Sequence, residues 1–295
     1  LILELAGLRP SDRASRARLA PSAPLLAHRL IGLQGGGSLP GLRVRVPPGV
    51  LGWLDGSDLP DPRLGGLLVE PMPMGLAGAE EIAVALAAGD RIVWVHAPAG
   101  TAGLSIAGHA ALMLNLAVVA IDLRRLPTAD EDTSDQLATA VRLAMDHAAL
   151  TGSILILVGA ELAVPMLPDL LRCAVPVIAT GPIPWDQSWA NHLPVEIHAP
   201  RPDREQRRRL WEALLPELPD PSALLAWRLT PEQIRQVSQA AVHAAQLAGR
   251  KVEAEDVRQA TRRLEHGRYV VDGDVGLDDL VLPAHPRSEV RRLLN

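Results

Sequence analysis

The 295 residues include no phenylalanine, one tyrosine and one cysteine, and aromatic residues make up only 2 % of the chain. The single cysteine, Cys173, excludes a disulfide framework and any metal site built from several thiolates. With so few aromatics, the core falls to leucine, valine, isoleucine and alanine. Lysine is equally scarce. Lys251 is the only one, and every other basic residue is an arginine. Heavy use of Arg, Ala, Pro and Gly with almost no Lys or Phe fits GC-rich coding, so the arginine excess says little about function. The net charge of −5 argues against a generally basic nucleic-acid binder, leaving only a local patch.

What is present is ample apolar material. At 48 % hydrophobic residues the chain can bury a sizeable core, and its length is about two domains' worth. It begins at Leu1 without a signal-peptide pattern and ends at Asn295 in a helical-looking run, so it reads as a cytoplasmic piece of a longer protein. The stretch 102–121 carries no Asp, Glu, Lys or Arg and has the length of a bilayer span. Gly103, Ser105, Gly108, His109 and Asn115 interrupt it, however, and no aromatic cluster flanks it. It reads as loop, helix and strand of an α/β core, and no membrane partner is expected.

Four parts follow from the patterning. Residues 1–75 read as a small α+β, winged-helix-like region: a helix over 25–33, a flexible break at 34–38, a strand over 42–46 and a helix over 49–54. Residues 76–200 alternate helices with continuous apolar runs at 91–96, 117–122, 154–158, 175–180 and 194–198. Such runs separated by helices predict a five-stranded parallel sheet covered on both faces. Residues 201–270 read as a helical lid, with helices over 204–215, 230–248 and 253–265, and 271–295 as a linker entering a further module.

The loop after the first core strand holds the main functional candidate. Ala97-Pro98-Ala99-Gly100-Thr101-Ala102-Gly103-Leu104 matches the length and the Pro, Gly and Thr spacing of the phosphate-cradling pattern G-P-P-G-T-G-K-T. Gly103 stands at the lysine position and Leu104 at the hydroxyl position. Sliding by one residue restores a hydroxyl at Ser105, but neither register contains a lysine. Without Lys and a Mg2+-binding hydroxyl, hydrolysis at this loop is not expected. At the end of the third strand, Val158-Gly159 occupy the places of an acidic pair, with Glu161 close but displaced. At the end of the fourth, Thr180 precedes Gly181, which stands where a water-positioning Asn belongs.

Taken in order, these frames resemble an AAA-family ATPase module over residues 79–270. The entry Pro202-Asp203 with Arg207 and the helices opened by Thr230-Pro231 and Val252-Glu253 are similar to its helical lid. The tail from Gly276 to Leu294 resembles the segment that opens a second module, in a layout similar to bacterial AAA ATPases associated with extracellular contractile injection systems. The resemblance implies a P-loop-type fold and a homo-oligomeric ring. It implies ATP with Mg2+ for an active module beyond residue 295, and an inactive first module that assembles or regulates it. The vestigial phosphate loop would be Pro98, Ala99, Gly100, Thr101, Ala102, Gly103 and Ser105, and the vestigial acidic and sensor positions Glu161 and Thr180.

Competing readings are weaker. The histidines His96, His109, His147, His192, His198 and His243 show no H-x-x-x-H or H-E-x-x-H spacing, so no metal site is expected. Ser105 lacks a G-x-S-x-G elbow, and Asp122 lacks the G-x-G-x-x-G of a dinucleotide fold. Arg204 and Arg207–Arg209 read as a solvated or intersubunit face, and Cys173 as a buried bystander. A scaffold without nucleotide, and a DNA-associated regulator using 1–75, remain as alternatives.

Overall fold

The computed structural model describes residues 7, 9, 11–20, 22–27, 30–35, 42–127, 133–218 and 221–266. The expected linker at 271–295 lies outside the described residues, as does most of the 34–38 break. Two compact units emerge: residues up to 207 together with 228–232, and residues 208–227 with those from 233 onward.

In the first unit, short helices α1 (Arg13–Ala17) and α2 (Pro24–Ala27) precede β1 (Gly32–Gln34), β2 (Arg43–Arg45) and α3 (Pro48–Leu54). The helix expected over 25–33 is thus cut short. Its end, Gly32 and Leu33, pairs instead with β2 as an antiparallel ribbon, Leu33 opposite Val44, so strand pairing overrides local periodicity. The core proper alternates α4 (Ala79–Ala88), β3 (Ile92–His96), α5 (Gly103–Met113), β4 (Val118–Asp122), α6 (Thr133–Thr151), β5 (Ile154–Val158), α7 (Leu167–Leu171), β6 (Val177–Gly181) and β7 (Val195–His198). A 3-10 stretch, Ala160–Met166, that contains Pro165 precedes α7. Pro165 has no N–H to donate to a regular helical ladder.

The five strands β3–β7 form one all-parallel sheet in the order β4-β5-β6-β3-β7. Alternate side chains serve opposite faces. Ile92, Trp94, Leu155, Leu157, Val177 and Ala179 pack beneath α6 and α7, whereas Val93, Val95, Ile154, Ile156 and Ile178 pack beneath α4 and α5. The uncharged stretch 102–121 is consumed by α5 and β4, and no helix among the described residues is long and apolar enough to cross a membrane.

The segment before α4 belongs to this core. Asp61 caps a 3-10 turn, Pro62–Leu64, and Leu64 is fully buried on the α6 face. Beyond it, Asp122 N donates to Leu67 O at 2.8 Å and Val69 N to Ala120 O at 3.0 Å, so the outer edge of β4 is covered by its own chain.

The second unit is helical. The later part of α8 (Arg204–Leu214), most of α9 (Pro231–Leu247) and α10 (Ala254–His266) fall within it. α8 opens with a reciprocal cap: Gln206 N donates to Asp203 Oδ1 at 2.7 Å, and Asp203 N donates to Gln206 Oε1 at 2.8 Å. At the start of α10, Asp256 accepts the Glu253 N–H and both arms of the Arg250 guanidinium, each at 2.7 Å. The Arg250 hydrogen bonds hold the Asp256 carboxyl below the usual carboxylate range.

Because Leu64 sits fully inside the sheet's core, Leu64→Ala should lower stability by about 2–5 kcal/mol. The shift of the urea midpoint at unchanged slope measures it.

Candidate functional site

Parallel strands bring their carboxyl ends to one edge of the sheet, the edge at which open α/β sheets bind ligands. Here that edge gathers His96, Asp122, Val158, Gly181 and His198 at the ends of β3 to β7. The loop 97–102 leaves β3 from its interior position in the sheet and enters α5.

A phosphate cradle needs backbone N–H groups turned toward the ligand. In this loop Ala97 N donates to Gly181 O at 2.7 Å, Thr101 N to Pro98 O at 3.1 Å and Ala102 N to Pro200 O at 2.9 Å. The hydroxyls are engaged too. Thr101 Oγ1 donates to Pro98 O at 2.7 Å, and the fully buried Ser105 Oγ donates to Glu232 Oε1 at 2.7 Å. Pro98 and Ala99 contribute only the turn, and Gly100 the positive φ of 82° that it requires. Thr180 is buried within β6 and gives its hydroxyl hydrogen to Leu157 O at 3.3 Å.

The frame positions share one steric property. At Gly103, the lysine position, an added Cβ would lie 2.5 Å from Ala97 Cβ. At Gly159, in the place of an acidic residue, it would lie 2.7 Å from Arg124 Cγ, and the backbone φ is +73°. At Gly181, the sensor position, it would lie 2.8 Å from Glu161 Oε2 and 3.0 Å from the Trp94 ring. At each position the space a side chain would need is occupied by a neighbour's atoms.

The acidic groups nearby are structural in their contacts. Asp122 caps the turn after β4 and binds Arg124 through Nε and Nη2, both at 2.8 Å. Glu161 is half-buried, and its Oε2 is a buried oxygen without a hydrogen-bond partner. Desolvation pushes its carboxyl above the usual range, opposed by its own backbone N–H and by Arg124.

A second constellation lies at the ends of β3 and β7. His96 and His198 are register partners, with ring centroids 5.1 Å apart, and Glu196 sits two residues before His198 on the same strand face. One ligand-capable atom from each of His96, Glu196 and His198 falls within 4.8 Å of the others. His96 Nε2 lies 3.1 Å from Pro182 O, while its Nδ1 is buried and unpartnered. Glu196 Oε1 accepts the Trp185 N–H at 3.2 Å. Sequence spacing gave no warning of this set. The one available signal was an E-x-H ending one predicted strand and a lone His ending another, and it has meaning only once the two strands are known to be neighbours.

The loop 182–190 stands over this region. Trp94, Trp185 and Trp189 meet edge to face with centroids 5.3–5.5 Å apart, and Trp94 Nε1 donates to Ile183 O at 3.1 Å. An open depression of about 500 Å3 is lined by Ile183, Pro184, Trp185, Asp186, Gln187 and Trp189.

Two measurements check this geometry. Gly103→Ala alone should destabilise the fold by about 1–3 kcal/mol, and Ala97→Gly added to it should restore much of that loss, a coupling a double-mutant denaturation cycle reads directly. For Glu161, a raised folded pKa means the native state keeps its proton longer than the unfolded chain, so stability falls as pH rises from the ordinary Glu range through the folded value. Glu161→Gln should therefore be the more stable protein at neutral pH, by less than about 1 kcal/mol after solvent screening, with the gap closing in acid. Thermal melts across pH measure it. In comparison with known proteins, the chain matches no family model and no curated sequence.

Proposed function

We propose that this chain is an AAA-type α/β module without ATP chemistry of its own, working as an assembly or regulatory element of a cytoplasmic ring ATPase. The sheet order supports the type: the strand that leads into the Gly-containing loop lies inside the sheet, between β6 and the edge strand β7. The P-loop-type order that the resemblance implies has this form, and a helical unit follows it here.

The closure of the frame positions at Gly103, Gly159 and Gly181 by neighbouring atoms carries the loss of chemistry. ATP with Mg2+ does not fit these residues. The lysine position has no room for a side chain, the acidic-pair position carries a left-handed glycine, and the loop's Ala97, Thr101 and Ala102 amides are taken by carbonyls. Nucleotide would then belong to an active module outside this chain, and what this one offers is surface for self-association.

Phosphate release by the chain with ATP and Mg2+ should stay at the buffer rate, and calorimetry with ATP or ADP should give no saturable heat. Sedimentation velocity should show self-association rising with concentration. Hydrolysis or saturable binding that disappears in Gly100→Val would overturn the silent-module reading, and a monomer at every concentration would overturn the assembly role.

One observation favours a second reading, DNA association through a winged-helix-like N-terminal region. The β1–β2 ribbon exposes Arg43 and Arg45 on either side of Val44. A basic ribbon of this kind would contact phosphates and lose affinity steeply with salt. Fluorescence anisotropy with duplex DNA, with and without Arg43→Ala/Arg45→Ala, distinguishes it from the first reading.

A further inference from the structure

We propose that His96, Glu196 and His198 form a binding site for a divalent transition-metal ion of the zinc class, joining the inner strand β3 to the edge strand β7. The donor set is two imidazoles and one carboxylate, which suits Zn2+ and its analogue Co2+ far better than Mg2+ or Ca2+. The ligand-capable atoms converge within 4.8 Å. A tetrahedral zinc with bonds of about 2.0–2.2 Å holds its ligands roughly 3.3–3.5 Å apart, so the widest separation needs to contract by up to about 1.5 Å. The exposed His198 side chain and the rotatable stem of Glu196 can supply that movement.

Two further observations point to a ligand rather than to a chance cluster. Metal-bound histidines usually donate their second ring N–H to a carbonyl or carboxylate, which fixes the tautomer and aims the free lone pair at the ion. His96 Nε2 lies 3.1 Å from Pro182 O, a bond that leaves Nδ1 as the lone-pair nitrogen, and Nδ1 is buried with no partner. Glu196 is oriented in the same manner, with Oε1 held by the Trp185 amide. Three protein ligands leave a fourth tetrahedral position for water or an added ligand. The inference does not depend on the AAA-type reading.

The test titrates Zn2+ into the chelator-stripped full chain by calorimetry, with Co2+ absorption as the spectroscopic readout. One Zn2+ per chain is expected, with tetrahedral cobalt bands and a higher melting temperature in the presence of zinc. His198→Ala and Glu196→Gln should each weaken zinc binding by at least the roughly 10–100-fold that loss of an outer partner costs, and should abolish the cobalt bands. Because His198 is exposed, His198→Ala keeps the fold even if His96→Ala does not; circular dichroism checks this. His109→Ala and His243→Ala should bind as the parent does. Unchanged affinity in both His198→Ala and Glu196→Gln, or no saturable binding by the parent at micromolar Zn2+, would overturn the site.

Discussion

The architecture depends on the burial of β3 from both sides. Ile92 and Trp94 face one helical layer and Val93 and Val95 the other, and all are fully buried. A strand so enclosed has no place for a polar side chain along its length, because an unpaired polar group there would cost several kcal/mol. Polarity is pushed to its end, where His96 begins the carboxyl edge and the loop 97–102 departs. The same constraint acts on β5, which has no polar side chain, and on β6, where the one hydroxyl, Thr180, is paired with Leu157 O. The candidate chemistry is therefore a property of strand ends and of which ends lie side by side.

Trp94 shows how a core choice reaches that edge. In a protein with almost no other aromatics, it packs against Trp185 and Trp189, anchors the loop after β6 through Ile183 O, and fills the space a side chain at residue 181 would need. Ala97 against Gly103 and Arg124 against Gly159 repeat the arrangement. Where a large or rigid neighbour occupies the room, glycine is what packing permits, since native interiors tolerate no overlap. The glycines at 103, 159 and 181 are thus part of one packing solution. A side chain added at any of the three places would meet a neighbour's atoms within 3 Å.

The paired histidines arise from the same topology. β7 is the edge strand beside β3, and parallel register sets His198 opposite His96 with Glu196 on the same face. The loop 182–190 supplies the carbonyl and amide that orient two of these three side chains. The carboxyl edge of the sheet therefore holds imidazole and carboxylate groups side by side.

The sequence alone carried the five core strands and most of the helices, because runs such as 154–158 have no polar residue to accommodate and Gly or Pro marks their ends. It carried the absence of a lysine in the loop, a matter of identity at a known spacing. It did not carry the ribbon of β1 and β2, where a helical spacing lost to pairing with the next strand, nor the inclusion of Leu64 in the core. It was silent on the closure of Gly103, Gly159 and Gly181, since a glycine in a string does not name the atom that stands where its Cβ would be. Above all, His96 and His198 are about a hundred residues apart in the chain and become neighbours only through the order β4-β5-β6-β3-β7. Local pattern is written by each segment's own burial. Strand order and the contacts it creates depend on every segment at once, and only the folded structure decides them.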